Sequence, residues 1–156
     1  MIKKILGFVF LEVCKIELMR SKNGTVIISY PQSRYDNKKG YALHRYGKGG
    51  FCGFKILPKW SGRSGLYFFT LNNKIRYVGE CQDLYNRINS GYGLISPRNC
   101  FVRGQSTNCK INKFVLNHYK RKRIKLWFCQ TSNLSDVERR NLEDRLIEYT
   151  VPDLNG

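Results

Sequence analysis

The sequence predicts an α+β fold whose elements, from residue 65 onward, run strand, strand, helix, helix, strand, helix. Three observations predict it. Two β-forming runs, LYFFTL and KIRYVG, flank the polar pair Asn72-Asn73. Two later segments carry apolar residues at helical spacing before and after a third β-forming run, IKLWFCQ. Ser135-x-x-Glu138 is a capping box at the start of the last segment. Residues 1–64 precede this unit as a β-rich extension.

The extension reads as strand-like pieces broken by turn chemistry. VIISY at 26–30 predicts a short strand ended by Pro31, and SRYDNKKG at 33–40 a loop. Gly47, Gly49, Gly50 and Gly53 make the next stretch irregular. Tyr, Lys, Arg and Gly interleave over 35–63. Such a segment can stack on bases and pair with phosphates, or it can form a basic lobe around its own small aromatic core.

In the second part, Asn72-Asn73 tolerates the left-handed backbone of a tight hairpin turn. Asp83 is placed to N-cap a short helix, DLYNRINS, with Leu84 and Ile88 on one face. GYGLISPRNCFVRGQ reads as a loop. Ser106 is the expected cap of a helix over 107–120, with Ile111, Val115 and Tyr119 at helical spacing. IKLWFCQ at 124–130 is the third strand. The last helix runs to about Tyr149 on an apolar stripe of Leu142, Leu146 and Tyr149, and Pro152 stops it.

At 156 residues the chain predicts one domain with a real core. Its 28 Lys and Arg against 11 Asp and Glu leave a formal charge of +17. Self-repulsion of that size favours a polyanionic partner, and nucleic acid is the commonest. Six cysteines contain no C-x-x-C pair, and two histidines are too few for a zinc-finger pattern. Free thiols in a reducing cytosol are expected. The N-terminal run MIKKILGFVFLEVCKIE is interrupted by Glu12 and lacks a small-residue cleavage site. No stretch approaches the roughly 18 apolar residues of a membrane span. These features predict a cytoplasmic protein without a membrane partner.

Gly65-Leu66-Tyr67 and Tyr77-Val78-Gly79, with nine residues between the tyrosines, resemble the paired motifs of the GIY-YIG nuclease family. The resemblance extends to Arg87 on the helix after the second strand. It extends also to the ending E-x8-P-x2-N, here Glu143, Pro152 and Asn155. It covers residues 65–156 as the nuclease core and leaves 1–64 as a separate, DNA-contacting extension. The segment GYGLISPRNCFVRGQSTNCKIN is similar to that of the family's small restriction endonucleases.

The resemblance implies a three-stranded antiparallel sheet flanked by helices and a metal-dependent DNA endonuclease of restriction type. Tyr67 would be the general base, assisted by Lys74 and Tyr77; Arg87 would neutralise phosphate charge. Glu143 would hold one Mg²⁺ or Mn²⁺, since one carboxylate fits a single hard ion and not a two-metal clamp. Asn155 would order the site by hydrogen bonds. The family's His or Tyr one turn after the Arg falls here on Gly91, so Tyr92 takes that role only through a local change in the turn. Double-stranded DNA is the implied partner, with Arg98, Arg103 and Lys110 as contacts. The basic run HYKRKRIK adds Lys120, Arg121, Lys122 and Arg123. Reading a palindrome would call for a homodimer or for cutting the strands in turn. Two other readings stand beside this one: a structure-selective repair or mobile-element nuclease, and a non-catalytic DNA- or RNA-binding module that keeps the fold.

Overall fold

The computed structural model of the chain describes residues 1–120 and 123–156. Five strands form one sheet: β1 (Ile2–Ile5), β2 (Phe8–Lys15), β3 (Gly65–Leu71), β4 (Lys74–Cys81) and β5 (Ile124–Gln130). Their spatial order is β1-β2-β5-β3-β4, and every neighbouring pair is antiparallel. The α+β class is as expected; the three-stranded sheet is not. The N-terminal run pairs as a hairpin and docks β2 on β5, where Leu11 faces Phe128 and Lys15 faces Lys125. The β-rich extension therefore widens the same sheet. VIISY is not a strand: Val26 and Ser29 make only isolated bridges, and Ile27 and Ile28 are exposed.

Helices cover both faces. On one face α3 (Asp136–Thr150) lays Leu142 and Leu146 over Phe10, Leu66, Phe68, Val78 and Trp127. On the other, α1 (Leu84–Asn86), the helical turn that follows it and α2 (Ser106–His118) bring Leu84, Ile88, Ile111 and Val115 against Tyr67, Phe69, Leu126 and Phe128. β3 lies inside the sheet between β5 and β4 with both faces covered, and all seven of its residues are buried. That is why GLYFFTL is continuously apolar where a half-exposed strand would alternate. Trp127 donates its indole N–H to Thr70 at 3.0 Å, so the hydroxyl buried in this run is satisfied.

The local turn chemistry acts as its residues suggest. Asn72 and Asn73 both take positive φ, 50° and 68°, and Leu71 pairs with Lys74 across a two-residue loop. The Asp83 side chain accepts from the Asn86 N–H, and the Ser135/Glu138 capping box is complete. Two expectations fail. Ser106 is the first residue of α2, behind an N-cap Gln105 that makes no side-chain cap. Tyr149 is exposed, because α3 turns only Leu142 and Leu146 squarely to the sheet.

One irregularity decides the site. A bulge in β4 leaves Arg76 without a cross-strand partner: Phe69 pairs with Tyr77 and Thr70 with Ile75. Without it, the two-residue turn would set Tyr77 opposite Phe68, on the α3 face. With it, Ile75 packs on the α3 face and Tyr77 on the face that holds Tyr67.

Candidate active site

Tyr67 and Tyr77 stand on one face of the β3–β4 hairpin with ring centroids 6.3 Å apart. Glycines make this packing possible. Tyr67 faces Gly79 across the hairpin, and a Cβ at Gly79 would lie 2.4 Å from both Cζ and the phenol oxygen of Tyr67. A Cβ at Gly65 would lie 2.1 Å from the carbonyl oxygen of Cys129 on β5. The glycine beside each tyrosine is therefore steric in origin.

After α1 the chain winds into a π-helical turn over Arg87–Tyr92, closed by a 2.7 Å hydrogen bond from the Gly93 N–H to the Ile88 carbonyl. In an α-helix the residue above Arg87 would be residue 91. The wider turn substitutes Tyr92. Arg87 Nη2 donates to the Tyr92 hydroxyl at 2.8 Å, and Arg87 Nε to the Tyr67 hydroxyl at 3.3 Å. The Tyr67 and Tyr92 hydroxyls are 2.5 Å apart, and Tyr92 donates to Tyr77 at 3.3 Å. The space at Gly91 is used too, for a Cβ there would press on Arg87 Nη1 at 3.3 Å. Asn108 on α2 completes the fork by accepting from that Nη1 at 2.9 Å. Asp83, four residues before Arg87, instead bonds the Gly62 and Asn86 N–H groups.

These groups open onto a cleft of about 900 Å³ between the hairpin, α2 and α3. Tyr67, Tyr77, Arg87 and Glu143 line it, together with Glu80 and Asn108. Tyr92 lies fully buried behind them. Burial first, then the Tyr77 phenol, pushes the Tyr67 hydroxyl well above the ordinary tyrosine range, and Arg87 pulls it back. Lys74 is exposed at the hairpin end of β4 and is not among the cleft residues, so the cation on Tyr67 is Arg87.

Glu143 is half-buried, and its acidity records the surroundings. Burial raises its carboxyl to about 7, reinforced by Glu80 and Asp144 and opposed by Arg87. Glu80 already has an ion-pair partner: the Arg139 Nε bonds it at 2.6 Å, and Arg139 Nη2 bonds Asp136 at 2.7 Å. Among the described residues Glu143 has no hydrogen-bond or ion-pair partner. No group of three or more His, Cys, Asp or Glu that could hold a metal occurs among the described residues. One unpaired, repelled carboxylate beside an arginine fits a hard divalent ion that takes its remaining ligands from substrate phosphate and water. Glu143 would hold it.

Asn155 lies outside the cleft on the edge of the sheet. Its side chain donates to the Val78 carbonyl and accepts from the Val78 N–H, both at 2.8 Å. Leu154 N–H bonds the Arg76 carbonyl, and Asp153 grips the Arg76 guanidinium at 2.6 and 2.7 Å. Residues 153–155 thus cap the free edge of β4 and hold out the residue that makes the bulge.

Comparisons with protein-family models, curated proteins and solved structures find no match to the chain.

The basic residues divide into two groups. Arg98 and Arg103 are exposed on the loop whose Asn99 and Gly104 line the cleft, and Arg103 lies over the Tyr41 ring at 5.4 Å. Lys110 stands one turn further along α2. Lys120 and Arg123 are exposed at the other end of the hairpin, where the Arg123 carbonyl accepts from the Asn72 N–H. Asn72 and Tyr67 are five residues apart, about 17 Å of strand. Arg121 and Lys122 lie outside the described residues. All six cysteines are free thiols, and no helix among the described residues is long and apolar enough to cross a membrane.

Reading motifs alone missed Glu80, Asn108 and Arg139. Glu80 follows Tyr77-Val78-Gly79 directly and was the available signal for a second carboxylate. Asn108 and Asn112 sit at apolar spacing on α2 and are buried, a pattern that marks polar groups with a fixed partner.

Proposed function

We propose that the chain is a divalent-metal-dependent DNA endonuclease of the GIY-YIG type. The observation that carries the reading is the convergence of Tyr67, Tyr77, Arg87 and Glu143, from four elements, on one cleft of a chain with charge +17. Arg87 would meet the scissile phosphate with its fork already aligned by Asn108 and Tyr92, which suits stabilisation of charge that grows in the transition state. Glu143 would hold Mg²⁺ or Mn²⁺, which would supply further neutralisation of phosphate charge.

The hydroxyls offer a route for the proton. A phenol that stays protonated is a poor base. Tyr67 can accept a proton from the attacking water as it passes its own to Tyr92, Tyr92 to Tyr77, and Tyr77 to the leaving oxygen. The water loses one proton and the alkoxide gains one, so no tyrosinate accumulates. The elevated proton affinity of Tyr67 then does not oppose catalysis.

Supercoiled plasmid incubated with Mg²⁺, with and without chelator, tests the proposal. Chelator-sensitive cutting supports it, and intact plasmid under all conditions leaves a binding module. The narrower reading, a restriction enzyme, requires discrete fragments; nicks confined to branched DNA point to a structure-selective nuclease.

A further inference from the structure

A second cavity, of about 360 Å³, follows the cleft along α2. Cleft residues Ser106 and Thr107 give way along α2 to Lys110 one turn later, Phe114 two turns later and Asn117 nearly three turns later. On the facing edge, cleft residue Tyr77 gives way to Arg76 and Leu154. The two cavities therefore lie one after the other along α2 and the edge of β4. Thr107 and Phe114 are seven residues apart, about 10 Å of helix, which spans at most about three phosphate steps of one strand at the stacked rise of about 3.4 Å, and fewer where the strand is unstacked.

The second cavity is built differently from the first. It holds no unpaired acid, for Asp153 is taken by Arg76. Its walls combine Phe114, Leu154 and the Tyr46 ring with cations. The Arg45 guanidinium lies 4.8 Å from the Tyr46 centroid and the Lys110 ammonium 5.7 Å. Arg45 is exposed and has no hydrogen-bond or ion-pair partner among the described residues. A phosphate alone would use the cations and leave the aromatic walls idle. A base stacked inside a duplex does not reach them; one that is unpaired, or extruded at a cost of a few kcal/mol, does. A planar base with its phosphate uses both, and the volume falls in the roughly 300–1,000 Å³ range of small-ligand sites.

We infer that this cavity receives one unstacked nucleotide of the substrate strand, with its base against Tyr46 and Phe114 and its phosphate on Arg45 and Lys110. The inference rests on the proposed reading of the cleft as the place of strand scission. It makes the substrate a DNA with an unpaired or extruded nucleotide within about three steps of the cut.

Binding in chelator tests the cavity apart from the chemistry. Fluorescence anisotropy would be followed for a short fluorescein-labelled thymidylate strand and for the corresponding duplex. Wild type should bind the single strand about tenfold more tightly than the duplex. Arg45→Glu should erase that preference. Lys22→Glu, the same charge change on an exposed turn, should weaken both ligands equally and keep it. A strand carrying 2-aminopurine should lose fluorescence on wild type and not on Arg45→Glu. Equal affinity for strand and duplex in wild type, or a preference that survives Arg45→Glu in a folded variant, overturns the inference. Loss of plasmid cutting with the strand preference intact overturns the nuclease reading and leaves the cavity as a nucleotide site.

Discussion

Arg87 and Tyr92 are joined by one π-helical turn that sets the guanidinium Nη2 2.8 Å from the phenol oxygen. The ring also lies beneath the guanidinium, 4.3 Å from Cζ to centroid. Arg87 is thus clamped by Tyr92, Asn108 and Tyr67 before any ligand arrives.

Tyr92→Phe keeps the ring under Arg87 and removes the middle hydroxyl of the chain from Tyr67 to Tyr77. Single-turnover cleavage should slow about 10²-fold or more, with DNA affinity near wild type. Normal cleavage by a folded Tyr92→Phe protein would eliminate the hydroxyl route.

Tyr67→Phe and Tyr77→Phe separate the two motif tyrosines. The Tyr67 hydroxyl is buried and bonded to Arg87 and Tyr92. Its loss should cost about 1–3 kcal/mol of stability, read as a shift in the denaturant midpoint, and 10²–10⁴-fold in the chemical step. The Tyr77 hydroxyl has one hydrogen bond, at 3.3 Å, and water in the cleft can take over its proton transfer, so its loss should cost less on both counts. Equal, small losses from both variants would return the tyrosines to the status of strand aromatics.

Gly79→Ala tests the packing of the paired motifs. The added methyl meets the buried Tyr67 ring at 2.4 Å, so the ring or the strand must shift, and the ring's hydroxyl is tied to Arg87 and Tyr92. Overpacking of this kind costs about 1–3 kcal/mol. The cost should shrink in a Tyr67→Ala background; a coupling energy near zero in that double-mutant cycle would show that the ring is not what forbids a side chain at 79.

Glu143 makes stability depend on pH in a direction opposite to a salt-bridged carboxylate. Its carboxyl ionises near 7 in the folded chain and near 4.5 when unfolded. Between those values the folded state binds the extra proton, so this residue's contribution declines as pH rises from 4.5 to 7 and levels off above. Glu143→Gln should therefore raise the melting temperature at pH 8 and hardly change it at pH 4.5. Mg²⁺ should stabilise wild type at pH 8 and leave Glu143→Gln unaffected. The variant should also cut at less than about a tenth of the wild-type rate. A melting difference that does not vary with pH would mean that Glu143 is solvated like an ordinary surface acid.

Salt should weaken DNA binding steeply. With six or more phosphates contacted, raising salt from about 50 to 200 mM should cost roughly 10³-fold in affinity. A flat response in a titration of labelled duplex would assign the +17 charge to some other partner.

By itself the sequence determined the elements whose signals are local. Asn72-Asn73 makes its turn because both residues accept positive φ, and Asp83 and the Ser135/Glu138 box cap their helices through neighbours within three residues. The order of elements also put Arg87 in the helical segment after β4 and Glu143 in α3. The tertiary structure decided what depends on distant partners. β1 and β2 join the sheet because β5 offers an open edge more than a hundred residues away in the chain. Tyr77 reaches the face of Tyr67 only because Arg76 bulges, and the bulge is held from outside by Asp153 and Leu154. Tyr92 reaches Arg87 only through a π-turn, which is stable here because the Tyr67 and Tyr77 hydroxyls and the Asn112 amide, which donates to the Tyr92 carbonyl, reward it. A single inserted residue in a strand or a helix changes which side chains share a face. Its cost is local and its compensation is not, so one-dimensional periodicity cannot anticipate it.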